Sequence, residues 1–311
     1  MFRPALAALL MTTLAGQALA ADPADCRRVN LSDVGWTDIT ATTAVASNLL
    51  TQLGYQPDTK VLSVPVTFTA LAKGDIDVFL GNWMPTQTAL IGPFTDSGSI
   101  EVYGPNLIGA KYTLATNKAG ADLGIRSFAD IAAHKDALNG QLYAIEPGND
   151  GNELMLKMVA GDKFGLGTFE VVESSEQGML AQVARADRAG KPVVFLGWEP
   201  HPMNEAYQMT YLEGGDEVFG SDLGGAQVFT NTRKGLAQEC PNLGRLVQNL
   251  RFTLPMENQI MGAILNDGTD PTRAALDWMK ANPDQVINWL DGVTTFDGDN
   301  AVTVVSAALA G

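Results

Sequence analysis

Apolar extended runs alternate with amphipathic helical runs, twice in succession, and this rhythm constrains the chain more than any other feature. In the first run, residues 29–34, 60–64 and 76–80 read as extended, with residues 38–53 and 68–73 helical between them. On the first helix Ile39, Ala46, Leu49, Leu50 and Leu53 share one face at 3.6-residue spacing, which predicts burial against a sheet. The second run begins after Lys111-Tyr112-Thr113-Leu114-Ala115, with extended stretches at 141–145, 169–173 and 192–196 and helices at 128–137, 152–159 and 177–186. Such βαβ order predicts an α/β fold with parallel strands. At 311 residues the chain exceeds what one ordinary core fills, so two lobes are expected.

Past Tyr211 the character changes to an extended stretch at 226–231 and three mostly helical stretches. Where this tail belongs depends on Cys26 and Cys240, the only cysteines. The chain opens Met1-Phe2-Arg3-Pro4, runs without charge through Gly16 and reaches Ala18-Leu19-Ala20. This apolar stretch falls short of the ~20 residues that span a bilayer, and it ends in small residues suited to a signal peptidase. Residues 1–20 are therefore predicted to be a signal peptide cleaved after Ala20, with the periplasm as destination. In that oxidising compartment Cys26 and Cys240 are expected to pair; two separate buried thiols are the alternative. Pairing would return the tail to the first lobe, giving lobe one as residues 21–110 plus 212–311 and lobe two as 111–211. Two crossing segments then make a hinge, with a ligand cleft between the lobes.

Charge and residue inventory narrow the function. With 20 Lys+Arg against 35 Asp+Glu the net charge is −15, which repels nucleic acid and anionic lipid, though it also simply keeps a secreted protein soluble. The two histidines, His134 and His201, form no metal-ligand pattern with the cysteines, and no Gly-x-Ser-x-Gly or Walker-type loop occurs. No catalytic residue, metal or cofactor is therefore assigned. The stretch Glu146-Pro147-Gly148-Asn149-Asp150-Gly151-Asn152 reads either as a turn capping the next helix or as a loop aiming an amide into the cleft.

Tryptophans are more informative. Trp36, Trp83 and Trp198 each fall directly after an apolar strand-like run, where cleft residues stand, whereas Trp278 and Trp289 sit in helical patterns and read as core. Three indoles at cleft positions predict an aromatic cage. Each ring face attracts a cation with roughly 0.5–2 kcal/mol. Quaternary ammonium suits dry aromatic walls, because its charge is spread over methyl groups and it has no donors to leave unpaired.

The segments Gly74-Asp75-Ile76-Asp77-Val78-Phe79-Leu80-Gly81-Asn82-Trp83-Met84-Pro85 and Gly197-Trp198-Glu199-Pro200-His201 resemble signatures of the substrate-binding proteins of quaternary-amine ABC importers, the glycine betaine/choline/proline betaine group. The likeness runs over essentially the whole chain after the signal peptide. It implies a two-lobed periplasmic binding protein fold of type II-like topology, no enzymatic activity, a monomer, and delivery of ligand to a membrane permease. It further implies that Trp36, Trp83, Trp198 and Tyr112 box the trimethylammonium group. An acidic residue two positions after the first tryptophan and an asparagine in the lobe-two turn match Asp38 and Asn149. Without the resemblance, Tyr112 would read as a sheet residue and Asp38 as a helix cap.

Charge separates the possible ligands. Choline carries +1 and a hydroxyl, whereas glycine betaine adds a carboxylate that needs donors. A carboxylate at ~4–6 Å and an effective dielectric near 20 favours a cation by roughly 3–4 kcal/mol and opposes an anion by a similar amount. Asp38 therefore favours choline, and Asn149 suits its hydroxyl. Acetylcholine is expected to bind more weakly. The alternatives are a glycine betaine or proline betaine binder of the same class and a secreted choline-ester hydrolase.

Overall fold

Strand β1 (Arg28–Asp33) opens the fold in a computed structural model that describes residues 22–311. The predicted signal peptide, residues 1–20, lies outside the described residues. After β1 come helix Thr37–Gln52, β2 (Gln56–Val61), helix Val64–Lys73 and β3 (Val78–Met84), with β1 parallel to both neighbours. The second α/β unit contains β5 (Gln141–Tyr143), β6 (Glu170–Val172) and β7 (Val194–Glu199), with β5 parallel to both β6 and β7. The long β4 (Ile100–Thr116), the short β8 (Thr210–Tyr211) and β9 (Gly225–Arg233) complete a nine-stranded sheet. Its order is β2-β1-β3-β9-β4-β7-β5-β6, with β8 beside β4.

The architecture is the expected two-lobed α/β fold, and β4 joins its halves by changing partners. From Ile100 to Lys111 it pairs antiparallel with β9, and from Lys111 to Thr116 with β7. Register shifts between Val102 and Pro105, Pro105 and Leu107, and Ile108 and Ala110 bend it before the exchange.

Helix Thr37–Gln52 buries Ile39, Ala46, Leu49 and Leu50, with Leu53 at its C-cap also buried, as the periodicity predicts. It is also buried on its other side, where helices Leu254–Leu265 and Pro271–Ala281 pack against it. The tail is thereby fastened to the β1 half. The Cys26–Cys240 disulfide is formed, with Cα atoms 5.8 Å apart. Beside it, the Asp22 carboxylate accepts hydrogen bonds from the Asn242 and Leu243 amides and the Tyr55 hydroxyl.

Several boundaries differ from the sequence reading. β2 occupies 56–61 rather than 60–64, because the next helix starts at Val64 with Pro65 in its first turn and because β2 is an exposed edge strand without an apolar signature. The helix expected over 128–137 is α-helical only for Phe128–Ile131 and continues as a 3₁₀ turn to His134. Among the described residues the tail holds five helices of seven residues or more, not three; prolines in the first turns of four of them mark the divisions. Trp289 is buried there and Trp278 half-buried, their rings 6.1 Å apart.

Candidate ligand-binding site

Three of the cage residues stand at or just past the end of a strand, and Tyr112 stands within one. After β1, Asp33 accepts from the Gly35 amide (2.7 Å) and the Thr40 hydroxyl (2.7 Å), fixing a tight turn. Gly35 takes the left-handed backbone there (φ 81°), and Trp36 follows at the N-cap of helix Thr37–Gln52. Trp83 and Trp198 lie inside β3 and β7, one residue before each strand ends, rather than after the strands as the sequence suggested. A cis X-Pro bond follows each, at Met84–Pro85 and Glu199–Pro200. Tyr112 in β4 stands directly opposite Trp198 in β7. Its ring centroid is 5.8 Å from that of Trp83.

Trp36, Asp38, Trp83, Tyr112 and Trp198 line one cavity with Ile145 and Asp150. All four aromatic residues are at most 6% exposed. Three of the four polar edges are tied to the protein: the Trp83 indole donates to Asp38 Oδ2 (3.1 Å), the Trp36 indole to Glu146 Oε1 (2.8 Å), and the Tyr112 hydroxyl to Asn149 Oδ1 (2.8 Å). Fixed edges leave the ring faces to act as the electron-rich walls of the cavity.

Asn149 stands behind this wall rather than in it. Its Oδ1 caps helix Asp150–Ala160 by accepting from the Gly151 (2.8 Å) and Asn152 (3.1 Å) amides, while its Nδ2 is buried without a partner. The oxygen thus meets the capping reading of this turn, and Asn149 is not among the residues that line the cavity. Tyr112 reaches the turn because Gly151 has no side chain; a Cβ there would lie 2.3 Å from the Tyr112 hydroxyl. Asp38 is not a cap. The amide of Thr37 is instead taken by Glu176 Oε2 (2.8 Å), from helix Glu176–Arg188.

The electrostatics of the cavity are one-sided. Asp38 is buried with Oδ1 unpartnered, and burial, helped by the charge of Glu176, pushes its pKa up to about 8. Asp150 has both oxygens buried without a regular hydrogen bond, and burial pushes it up to about 6 against the opposing pull of the nearby Thr86 and Gln87 side chains. Burial raises Glu146 as well, and burial followed by the charge of Asp38 raises Glu257 well above the usual range. The lining holds two carboxylates and no Lys or Arg. Carboxylates whose charged forms are opposed by burial, with no counter-charge beside them, make a site that a cation would complete.

Asp150, Ile145 and the supporting Glu146 and Glu176 were not singled out from sequence. Asp150 and Glu176 each open a helix, where an acidic residue is ordinary, and Glu146 precedes a proline turn.

Residues 27–281 match the family described as the substrate-binding domain of ABC-type glycine betaine transport systems. The chain belongs to this family. Among solved structures, it is 61% identical to an ABC-transporter choline-binding protein in complex with choline, with a TM-score of 0.91, covering 93% of this chain and 100% of that one. Lactococcal OpuAC, closed on glycine betaine, is 25% identical with a TM-score of 0.77, covering 85% of this chain and 99% of that one. The glycine betaine/carnitine transport binding protein GbuC of Listeria monocytogenes is 33% identical over 131 residues, 42% of each chain. This substrate-binding protein is accordingly a carrier and not an enzyme, and proteins of its class work outside the cytoplasm. No helix among the described residues is long and apolar enough to cross a membrane.

Proposed function

We propose that this protein captures choline between its lobes and hands it to the membrane permease of an ABC importer. Trp36, Trp83, Tyr112 and Trp198 would surround the trimethylammonium group, Asp38 and Asp150 would supply the opposite charge, and the free Nδ2 of Asn149 would donate to the hydroxyl oxygen. The observation that carries this reading is the pair of buried carboxylates with unpartnered oxygens inside an aromatic cavity that holds no cationic side chain. A zwitterion would bring its own carboxylate into that company. Four aromatic contacts and the Asp38 carboxylate alone, less closure costs, already reach about −8 kcal/mol, or micromolar affinity.

The functional lobes would be residues 21–110 plus 212–311 and 111–211, hinged where β4 exchanges partners and where the chain returns into β9. The working site would be the periplasm, after removal of residues 1–20. Titration calorimetry on protein unfolded and refolded to strip carried-over ligand tests the assignment. Choline should bind at micromolar concentration, acetylcholine more weakly and glycine betaine more weakly still. Betaine binding equal to or tighter than choline would reassign the ligand.

A further inference from the structure

Glu176 is 1% exposed and stands outside the cage, yet it holds the helix that carries Asp38. Its Oε2 accepts from the Thr37 amide (2.8 Å) and its Oε1 from the Thr37 hydroxyl. Thr37 opens the helix between β1 and β2, whereas Glu176 opens the helix between β6 and β7, so these bonds run from one half of the sheet to the other. The third partner is His201, itself 2% exposed. Its Nδ1 accepts from the Met203 amide (3.0 Å), which leaves the proton on Nε2, 3.3 Å from Glu176 Oε1. The same imidazole packs edge-on against Trp198, with centroids 4.9 Å apart.

A buried carboxylate without a neighbouring cation persists only if donors satisfy it. Here two of the three donors belong to Thr37 and are lost as soon as the halves separate. Glu176 also places negative charge at the positive end of a 16-residue helix.

We infer that Glu176, Thr37 and His201 form a latch between the lobes that sets the open–closed balance, and through it ligand affinity and release, without touching the ligand. The latch favours the closed form whether or not the cage is filled. Apparent affinity scales with the closed fraction, so loosening the latch weakens every ligand by the same factor. Glu176 and Thr37 are thus positioning residues. The inference takes its ligand from the choline reading, but its geometry does not depend on which quaternary amine is bound.

The test compares refolded wild type with Glu176→Ala, Thr37→Val and Glu176→Gln, each checked for native circular dichroism. Stopped-flow measures choline release, calorimetry measures choline and glycine betaine affinity, and small-angle X-ray scattering measures the ligand-free radius of gyration. Glu176→Ala should weaken choline about 10- to 100-fold, the weight of charge-assisted hydrogen bonds. The loss should fall mainly on the release rate, with the ligand-free protein more expanded; in Thr37→Val, which leaves the charge of Glu176 beside Asp38 in place, the choline-to-betaine ratio should stay unchanged. Thr37→Val should follow in the same direction by a smaller factor, and Glu176→Gln should recover part of the loss. An unchanged ligand-free radius and release rate in both Glu176→Ala and Thr37→Val would overturn the latch. So would a choline-to-betaine ratio that moves as much as the affinity in Thr37→Val. If wild type binds neither ligand, the ligand reading fails while the ligand-free scattering comparison still decides the latch.

Discussion

Replacing Asp38 by Asn removes the charge at the cage while keeping an oxygen that can accept the Trp83 indole bond (3.1 Å in the wild type), so the walls should stay in place. At about 5 Å and an effective dielectric near 20, the lost attraction for a monocation is about 3 kcal/mol. Part of this is already forfeited in the wild type near neutrality. With Asp38 pushed up to about 8, ionising it at pH 7 costs about 1.4 kcal/mol. The net loss on substitution is then about 2 kcal/mol at pH 7, or roughly 30-fold in Kd, approaching 3 kcal/mol above pH 8 and nearly vanishing by pH 6. Wild-type choline affinity should correspondingly rise with pH between about 6 and 8 and then level off, with proton release on binding in that window. Calorimetry from pH 5.5 to 9 in two buffers of different ionisation enthalpy reads both the affinity and the proton count. Glycine betaine, measured alongside, should lose nothing on Asp38→Asn. A wild-type profile flat between pH 6 and 8, or equal losses for choline and betaine, would refute the electrostatic role of Asp38.

Trp83→Ala should weaken choline by at least tenfold, from lost cation–π attraction and packing, while Trp278→Ala should leave affinity within threefold and show only in thermal stability; equal effects would break the cage assignment. Gly151→Ala should displace Tyr112, since the added methyl would lie 2.3 Å from its hydroxyl, and affinity should fall with little change in denaturation midpoint. Because burial raises Asp38 in the folded state, its protonated form contributes stability that fades as pH climbs from about 4 to about 8. The ligand-free Asp38→Asn protein should therefore gain melting temperature over wild type by an increment that grows between pH 5 and 8; a constant or shrinking increment would count against burial as the cause. Reducing Cys26–Cys240, which closes a loop of 214 positions, should lower unfolding free energy by up to about 5 kcal/mol in urea titrations, and no loss would show that the tail is held by packing alone.

How much of this was legible in sequence depended on whether a residue's role was local. Trp36, Trp83 and Trp198 could be found because a strand end is a cleft position whatever the rest of the chain does. The face of helix Thr37–Gln52 was legible by periodicity, although nothing in its pattern told that a second layer of helices covers the other side. β2 escaped because an exposed edge strand carries no apolar alternation. Tyr112 was singled out only through the family resemblance; its own segment reads as any sheet strand. Asp150 and Glu176 were invisible for a different reason. Each is an acid in the first turn of a helix, locally indistinguishable from an ordinary dipole partner, and its significance appears only when the two halves of the sheet face each other.

The central claim is that the cage is built around a permanent positive charge, and the most direct test is choline against 3,3-dimethyl-1-butanol, which keeps its shape and hydroxyl but replaces nitrogen by carbon. With stripped protein at pH 8, choline should bind at micromolar concentration and the neutral isostere at least about a hundredfold more weakly, the combined weight of the ring faces and the carboxylates. Affinities within threefold of each other would contradict the account.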